Sequence, residues 1–225
     1  ETLVAREPWT SEVLAERFVT AFKRDQRVGY ARRFYEFLLR IKDGRQLLDE
    51  INWTSDKSGA AMRAAPIGVL PTVEKVIEAC RIQAAITHNT PDGINAAIAA
   101  SLMSHYFIYQ LGKKQELAQF LEVHVPGEWS IPWEGEVKSK GWMSVRAAIT
   151  AIIRNDSLSE LLKDCIAFTG DVDTVAAIAL AAGSCSAEIA QDLPEHLIYG
   201  LENGSYGRDY IINLERQLMN LGQHS

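Results

Sequence analysis

Residues 169–184 read TGDVDTVAAIALAAGS, a polar turn that leads directly into a run of small apolar residues. Two carboxylates, Asp171 and Asp173, are followed at once by the hydroxyl of Thr174. In a turn, three such oxygens can converge on one hard cation such as Mg²⁺ or Mn²⁺. In the alternative interpretation, Asp173 caps the following helix, while Asp171 is a turn residue favoured by the helix dipole. On either interpretation, the alanines that follow predict a helix to which neighbouring helices can pack closely.

Helical periodicity extends to most of the chain. Thr10 or Ser11 can cap a helix whose apolar stripe is formed by Val13, Leu14, Phe18 and Phe22. Ser157 is a suitable N-cap for a helix beginning at residue 158. No run of residues shows the apolar–polar alternation of a β-strand. We therefore expect an all-α fold, with a single domain over residues 1–225 and roughly eight to ten helices.

Residues 93–112 contain no Asp, Glu, Lys or Arg. An apolar span of about 20 residues is long enough to cross a bilayer. This one carries polar side chains such as Asn95 and His105, which are costly in lipid unless they are paired. We therefore expect a buried central helix and no association with a membrane.

Composition narrows the class of protein. The chain has 225 residues, with 23 Lys and Arg against 29 Asp and Glu, for a net charge of −6. This balance argues against a polybasic nucleic-acid-binding protein. The three cysteines include no CxxC pair, which favours a reducing, cytoplasmic setting. The opening ETLVAREPW is not a signal peptide, and it resembles the end of a helix that has already begun.

A second polar segment, TSDKSGAAMR, occupies residues 54–63. Loops of small residues expose backbone N–H groups that can bind phosphate or sugar oxygens. Arg63 could pair with a phosphate or a carboxylate. The alternative is an ordinary turn, with Arg63 in a structural ion pair.

The segment THNTPDG at residues 87–93 predicts a further loop, and His88 lies in it. Binding residues concentrate in loops, although a single loop histidine can also simply be solvated. Trp129, Trp133 and Trp142 could form an aromatic wall for a base or peptide, or they could fill the core.

Taken in order, three segments resemble the ADP-ribosylglycohydrolase family, which includes the dinitrogenase-reductase-activating glycohydrolases and the J1 crystallins. SDKSGAAMRAAPIG resembles the glycine-rich segment of that family, and ITHNTPDGINAA resembles its Thr-His segment. TGDVDTVAAIALAAGS resembles its most diagnostic acidic motif. The resemblance spans nearly the whole chain and implies a multi-helix orthogonal bundle around a cleft that holds two Mg²⁺ or Mn²⁺ ions.

By this resemblance, Asp171, Asp173 and Thr174 would be metal ligands. The residues expected to border the site for ADP-ribose or an ADP-ribosylated substrate are Ser55, Asp56, Ser58, Gly59, Met62, Arg63 and His88. The implied reaction is hydrolysis of the bond between the ribose anomeric carbon and a modified side chain. The sequence does not assign a general acid or base.

Two departures from the family pattern matter. Lys57 and Ser58 stand where the family usually has Gly and Asn. The helix and the Thr-Asp-Asp-Thr motif with which the family begins, and which supply the other metal ligands, are not found in these 225 residues. We therefore expect an incomplete second metal site and a missing N-terminal segment. The alternative is a non-catalytic relative that is structural or only binds ADP-ribose.

Overall fold

The computed structural model describes residues 1–222, which form twelve α-helices, two 3₁₀-helices and no β-strand. The α-helices are α1 (Ser11–Arg24), α2 (Arg32–Arg40), α3 (Gly44–Glu50), α4 (Gly59–Met62), α5 (Val73–His88), α6 (Pro91–Ile108), α7 (Leu117–His124), α8 (Gly141–Arg154), α9 (Leu158–Ala167), α10 (Val172–Gly183), α11 (Glu195–Tyr199) and α12 (Arg208–Gly222). The 3₁₀-helices cover Ala65–Val69 and Lys114–Glu116. The all-α expectation is confirmed. The helices outnumber the expected eight to ten because short ones such as α4 and α11 stand alone between turns.

Side-chain caps begin several of the helices where the sequence predicts them. Thr10 Oγ1 accepts a hydrogen bond from the amide of Val13 at 3.3 Å, and Ser157 Oγ accepts one from the amide of Glu160 at 3.3 Å. Each bond satisfies an N–H group that has no partner within its own helix. The starts of α1 and α9 are therefore encoded locally.

Helix α6 lies at the centre of the larger hydrophobic core. It packs against α4, α5, α8 and α10, and most of its side chains are buried. Its alanines and serines allow close approach, since a Cβ added to Gly68 would lie 2.7 Å from the carbonyl oxygen of Ser101. The buried central helix is thus confirmed. In residues 1–222, no helix is both long enough and apolar enough to cross a membrane.

A second, smaller core joins α1, α2 and α3 to α5. Phe22, Leu38 and Leu47 are buried in it, and Ile86 of α5 packs against them. Helix α5 therefore lies between the two cores, which fixes the position of its last turn. That turn carries two residues of the candidate site, Thr87 and His88.

The segment 125–140 has no helix and crosses the region where the candidate site lies. Isolated β-bridges pair Val137 with Gly170 and Lys57 with Lys140. A third bridge pairs Thr54 with His88. The bridges hold the loop that precedes α4, the end of α5 and the turn that precedes α10 close to one another.

Candidate functional site

The acidic turn before α10 is fixed by an unusual backbone. Thr169 and Gly170 have φ values of +62° and +81°. A Cβ added at Gly170 would lie 2.0 Å from the carbonyl oxygen of Val137, so this position requires glycine. The amide of Asp171 donates to that same oxygen at 2.8 Å. The turn is therefore clamped to the irregular segment, and the carboxylate of Asp171 emerges at a defined place.

Asp171 is held between two hydroxyl groups. Ser58 Oγ donates to Asp171 Oδ2 at 2.8 Å, and Thr174 Oγ1 donates to Asp171 Oδ1 at 2.9 Å. The two hydroxyl oxygens are 3.5 Å apart. The small-residue loop and the acidic turn, which are far apart in the sequence, thus meet side chain to side chain.

Asp173 has a different environment from Asp171. It is exposed in the first turn of α10 and has no hydrogen bond or ion pair within residues 1–222. The N-cap of α10 is Asp171, and no side chain makes a capping hydrogen bond there. The alternative interpretation, in which Asp173 caps the helix, is therefore wrong. The carboxylate of Asp173 remains free to bind something else.

The loop that precedes α4 uses its own polar groups. The amide of Lys57 donates to Ser55 Oγ at 3.2 Å, and the amide of Ser58 donates to the carbonyl oxygen of Ser139 at 3.1 Å. Lys140 forms an ion pair with Asp56, and this keeps the pKa of that carboxyl below its usual range. Asp56 and Ser55 therefore shape the loop, and Ser58 is the loop residue that contacts Asp171.

Met62 and Arg63 follow the loop but point in different directions. Met62 is exposed, and its Sδ lies 3.9 Å from Thr174 Oγ1, so it borders the acidic turn. The guanidinium of Arg63 packs over the ring of Phe18 at 4.9 Å and bonds to residues of α5. Burial lowers the pKa of Arg63 to about 10, and the group stays cationic at neutral pH.

His88 is the last residue of α5, although the sequence places it in a loop. The helix continues through Thr87 and His88, the first two residues of the segment expected to be a loop. His88 is only 8% exposed, so the expectation of a solvated loop histidine is wrong. Burial, and next the positive charge of Arg63, lower the pKa of His88 to about 4. His88 is therefore a neutral imidazole under ordinary conditions.

Gly59 brings His88 next to the small-residue loop. A Cβ at Gly59 would lie 3.4 Å from His88 Cε1 and 3.5 Å from His88 Nε2. The ring edge therefore faces the start of α4, one residue after Ser58. His88 thus lies at the end of α5 beside the loop that contributes Ser58 to the Asp171 cluster, and no hydrogen bond joins His88 to Asp171 within residues 1–222.

The three tryptophans occupy two kinds of position. Trp129 is buried in the larger core, which agrees with the core-filling interpretation. Trp133 and Trp142 are partly buried and pack edge to face at 5.7 Å, with Arg146 over both rings. Trp142, Trp129 and Arg146 also line a cavity of about 220 Å³.

Several residues of the site could not be identified from the sequence. Val137 orients Asp171 through its backbone only, which leaves no mark on residue type. Gln83 lies in a helical pattern like any other polar residue, and yet it binds Arg63.

The buried thiols of Cys80 and Cys165 have pKa values raised to about 12 by burial, which makes them poor nucleophiles.

The fold and this geometry define an all-α protein in which a small-residue loop meets an acidic turn and brings hydroxyl and carboxylate oxygens together. The chain belongs to the ADP-ribosylglycohydrolase family, whose model matches residues 1–225. Among solved structures, it resembles one described as an ADP-ribosylglycohydrolase-related protein complex. That likeness has a TM-score of 0.72 at 17% sequence identity, and covers 98% of this chain and 77% of the other. No curated protein sequence matches the chain.

Proposed function

We propose that this protein is a metal-dependent glycosidase that removes ADP-ribose from a modified side chain or a related conjugate. Membership of the ADP-ribosylglycohydrolase family supports the class of reaction. The observation that carries the proposal is the contact of Ser58 and Thr174 with Asp171. Those contacts join two of the segments in which the sequence resembles the family.

The chemistry of this oxygen set suits a hard cation. The hydroxyls of Ser58 and Thr174 each donate their single proton to Asp171, and their oxygen lone pairs remain available to a cation. Asp173 adds an exposed carboxylate without a partner in residues 1–222. Mg²⁺ is usually held by one or two carboxylates together with waters and substrate oxygens. Asp171, Asp173 and Thr174 would therefore hold one Mg²⁺ or Mn²⁺.

A bound divalent cation would polarise a ribose hydroxyl or acidify a water. The residues of the chain would position the sugar beside it. Asp171 is already oriented by two hydroxyl groups. Its negative charge would stabilise the positive charge that develops at the anomeric carbon as the leaving group departs. His88, Gly59 and Met62 would border the ADP-ribose, and the loop shaped by Ser55 and Asp56 would close the other side.

A test of this function measures release of ADP-ribose from an ADP-ribosylated peptide, with Mg²⁺ or Mn²⁺ and with a chelator. We expect release that needs the cation and that Asp171→Ala lowers by at least about a hundredfold, as for loss of a metal ligand. Asp49→Asn is the matched control, because Asp49 is an exposed carboxylate in α3 with no hydrogen bond or ion pair in residues 1–222. Equal release by wild type and Asp171→Ala would contradict the proposal.

A second candidate function is binding of ADP-ribose without turnover. One observation favours it: in residues 1–222, no group of three or more His, Cys, Asp or Glu side chains could hold a metal ion. A second cation would then lack ligands. Calorimetric titration separates the two functions, since the binding protein would take up ADP-ribose and yet show no release under any metal condition.

We further propose a cytoplasmic location. The three cysteines are free, and Cys80 and Cys165 are buried in different helices. Free thiols are typical of proteins in a reducing compartment.

A further inference from the structure

A chain of hydrogen bonds leads from α4 to the ring of His88. Arg63 Nη2 donates to Thr87 Oγ1 at 2.7 Å, and Thr87 Oγ1 lies 2.6 Å from His88 Nδ1. Arginine has donors only, so Thr87 accepts from Arg63. The direction of the first bond is therefore fixed by chemistry.

The second bond follows from the single proton of the threonine hydroxyl. Thr87 is 4% exposed, and its hydroxyl has no other acceptor among residues 1–222. Buried donors in native proteins are paired, because an unpaired one costs about 1–3 kcal/mol. The arrangement that pairs the buried hydroxyl of Thr87 has Thr87 donating to His88 Nδ1. A neutral imidazole that accepts at Nδ1 carries its proton at Nε2.

The Nε2 edge of His88 is the open one. Nε2 has no hydrogen-bond partner in the described part of the chain. It is also not among the fully buried polar atoms without partners, which are the hydroxyl oxygens of Ser101, Ser104 and Ser144. Its neighbour Gly59 has no side chain to cover it. The Nε2–H group is therefore accessible beside the loop of Ser58.

We propose that Arg63 and Thr87 are positioning residues that fix His88 as a neutral Nε2–H donor, accessible beside the loop of Ser58. The proposal that this donor binds an acceptor oxygen of ADP-ribose rests on the proposed function. The fixed tautomer of His88 does not rest on the proposed function, because it is expected in the ligand-free protein. A role is thus assigned to Arg63 that is separate from direct contact with the ligand.

A purely structural role for Arg63 makes a different prediction. The guanidinium also bonds to the side chain and the carbonyl oxygen of Gln83 and packs over Phe18. If it served only to join α4 to α5, loss of its bonds to Gln83 would matter as much as loss of its bond to Thr87. Gln83→Met removes the side-chain partner and leaves Thr87 and His88 in place, so it is the matched control.

The test is nitrogen-15 NMR of the ring nitrogens in the ligand-free protein at neutral pH. The signals of His88 are assigned by their loss in His88→Gln. We expect a protonated Nε2 and an unprotonated Nδ1 in wild type, in Thr87→Ser and in Gln83→Met. Thr87→Val keeps the shape of the side chain and lacks the hydroxyl, so it should give a mixture of both tautomers. A proton at Nδ1 of His88 in wild type, or unchanged ring signals in Thr87→Val, would overturn the proposal that Arg63 and Thr87 fix the tautomer.

Titration with ADP-ribose tests the ligand part. We expect the affinity to fall about tenfold in Thr87→Val, the effect of one misdirected hydrogen bond, and to return in Thr87→Ser. Equal affinities of wild type and Thr87→Val, with the tautomer shifted as expected, would overturn the ligand contact alone. If wild type shows the expected tautomer but does not bind ADP-ribose, the proposed function is overturned, while the role of Arg63 and Thr87 in fixing the tautomer is retained.

Discussion

Ser58 donates a hydrogen bond to Asp171 over 2.8 Å, although 113 residues separate them in the chain. Ser58 is supplied by the loop before α4 and Asp171 by the turn before α10. Ser58 also stands at a position where the resemblance to the family leads us to expect Asn. The departure therefore has a structural role, because the serine hydroxyl orients the central carboxylate of the site.

Replacement of Ser58 tests this role. Ser58→Ala removes a hydrogen bond to a charged group, so we expect the free energy of unfolding to fall by about 1.5–3 kcal/mol. The affinity for Mn²⁺, followed by electron paramagnetic resonance, should fall about tenfold because the carboxylate is no longer oriented. Ser58→Thr keeps the hydroxyl and is the control. Unchanged Mn²⁺ affinity in Ser58→Ala would show that Ser58 does not orient Asp171 for metal binding.

Asp173 should affect metal binding without affecting stability. It makes no capping hydrogen bond, so Asp173→Ala should change the free energy of unfolding by less than about 0.5 kcal/mol. Ser157→Ala removes a true N-cap and should cost about 1 kcal/mol in the same urea titration. Mn²⁺ binding should weaken in Asp173→Ala only. A large loss of stability there would mean that Asp173 supports the helix after all.

Gly170 and Gly135 form a matched pair for the backbone of the acidic turn. Both have a positive φ, +81° and +82° respectively. Gly135 has no atom within 4 Å of an added Cβ, whereas Gly170 meets the carbonyl oxygen of Val137 at 2.0 Å. Gly135→Ala should therefore cost only the left-handed backbone penalty, about 1–2 kcal/mol. Gly170→Ala should cost at least about 2 kcal/mol more, because the turn must also move. Thermal unfolding of both variants measures the difference, and equal losses would contradict the clamp.

His88 should make stability depend on pH. Its pKa is about 4 in the folded protein against an ordinary value of 6.5, so the unfolded chain binds a proton first as the pH falls. Stability is therefore lost as the pH falls from about 6.5 towards 4. Between about pH 7.5 and pH 5, wild type should lose about 2 kcal/mol more than His88→Gln in urea titrations. His196→Gln, at an exposed position, is the control and should behave as wild type does. A loss in His88→Gln as large as in wild type would assign the pH dependence to other groups.

The sequence predicts the fold well where the signal is local. The caps at Thr10 and Ser157 and the uncharged run that forms α6 each depend on a few neighbouring residues. His88 was misplaced for the same reason. THNTPDG has the composition of a loop, yet Thr90 caps α6 and Pro91 begins it, so only two residues remain between the helices.

The parts of the site that escape sequence analysis depend on contacts at long range. The motif residues Ser58, Asp171 and Thr174 are joined by side-chain hydrogen bonds, which only the folded chain shows. The carbonyl of Val137 orients Asp171, and neither the residue type nor any periodicity marks that position. The hydrogen bonds of Arg63 to Gln83 and Thr87 of α5 are equally hard to predict. The sequence does not distinguish an arginine that is bonded within the protein from one that is free.

The segment 137–141 ties the two halves of the site to one backbone. Its groups bond to the amide of Ser58, the carbonyl of Asp56 and the amide of Asp171. In hydrogen exchange, the amides of Ser58, Gly141 and Asp171 should open together as one cooperative unit, even though Ser58 and Asp171 are 113 residues apart in the chain. Loosening of this short segment should therefore open the small-residue loop and the acidic turn in the same event, so we expect the two halves of the site to fluctuate together.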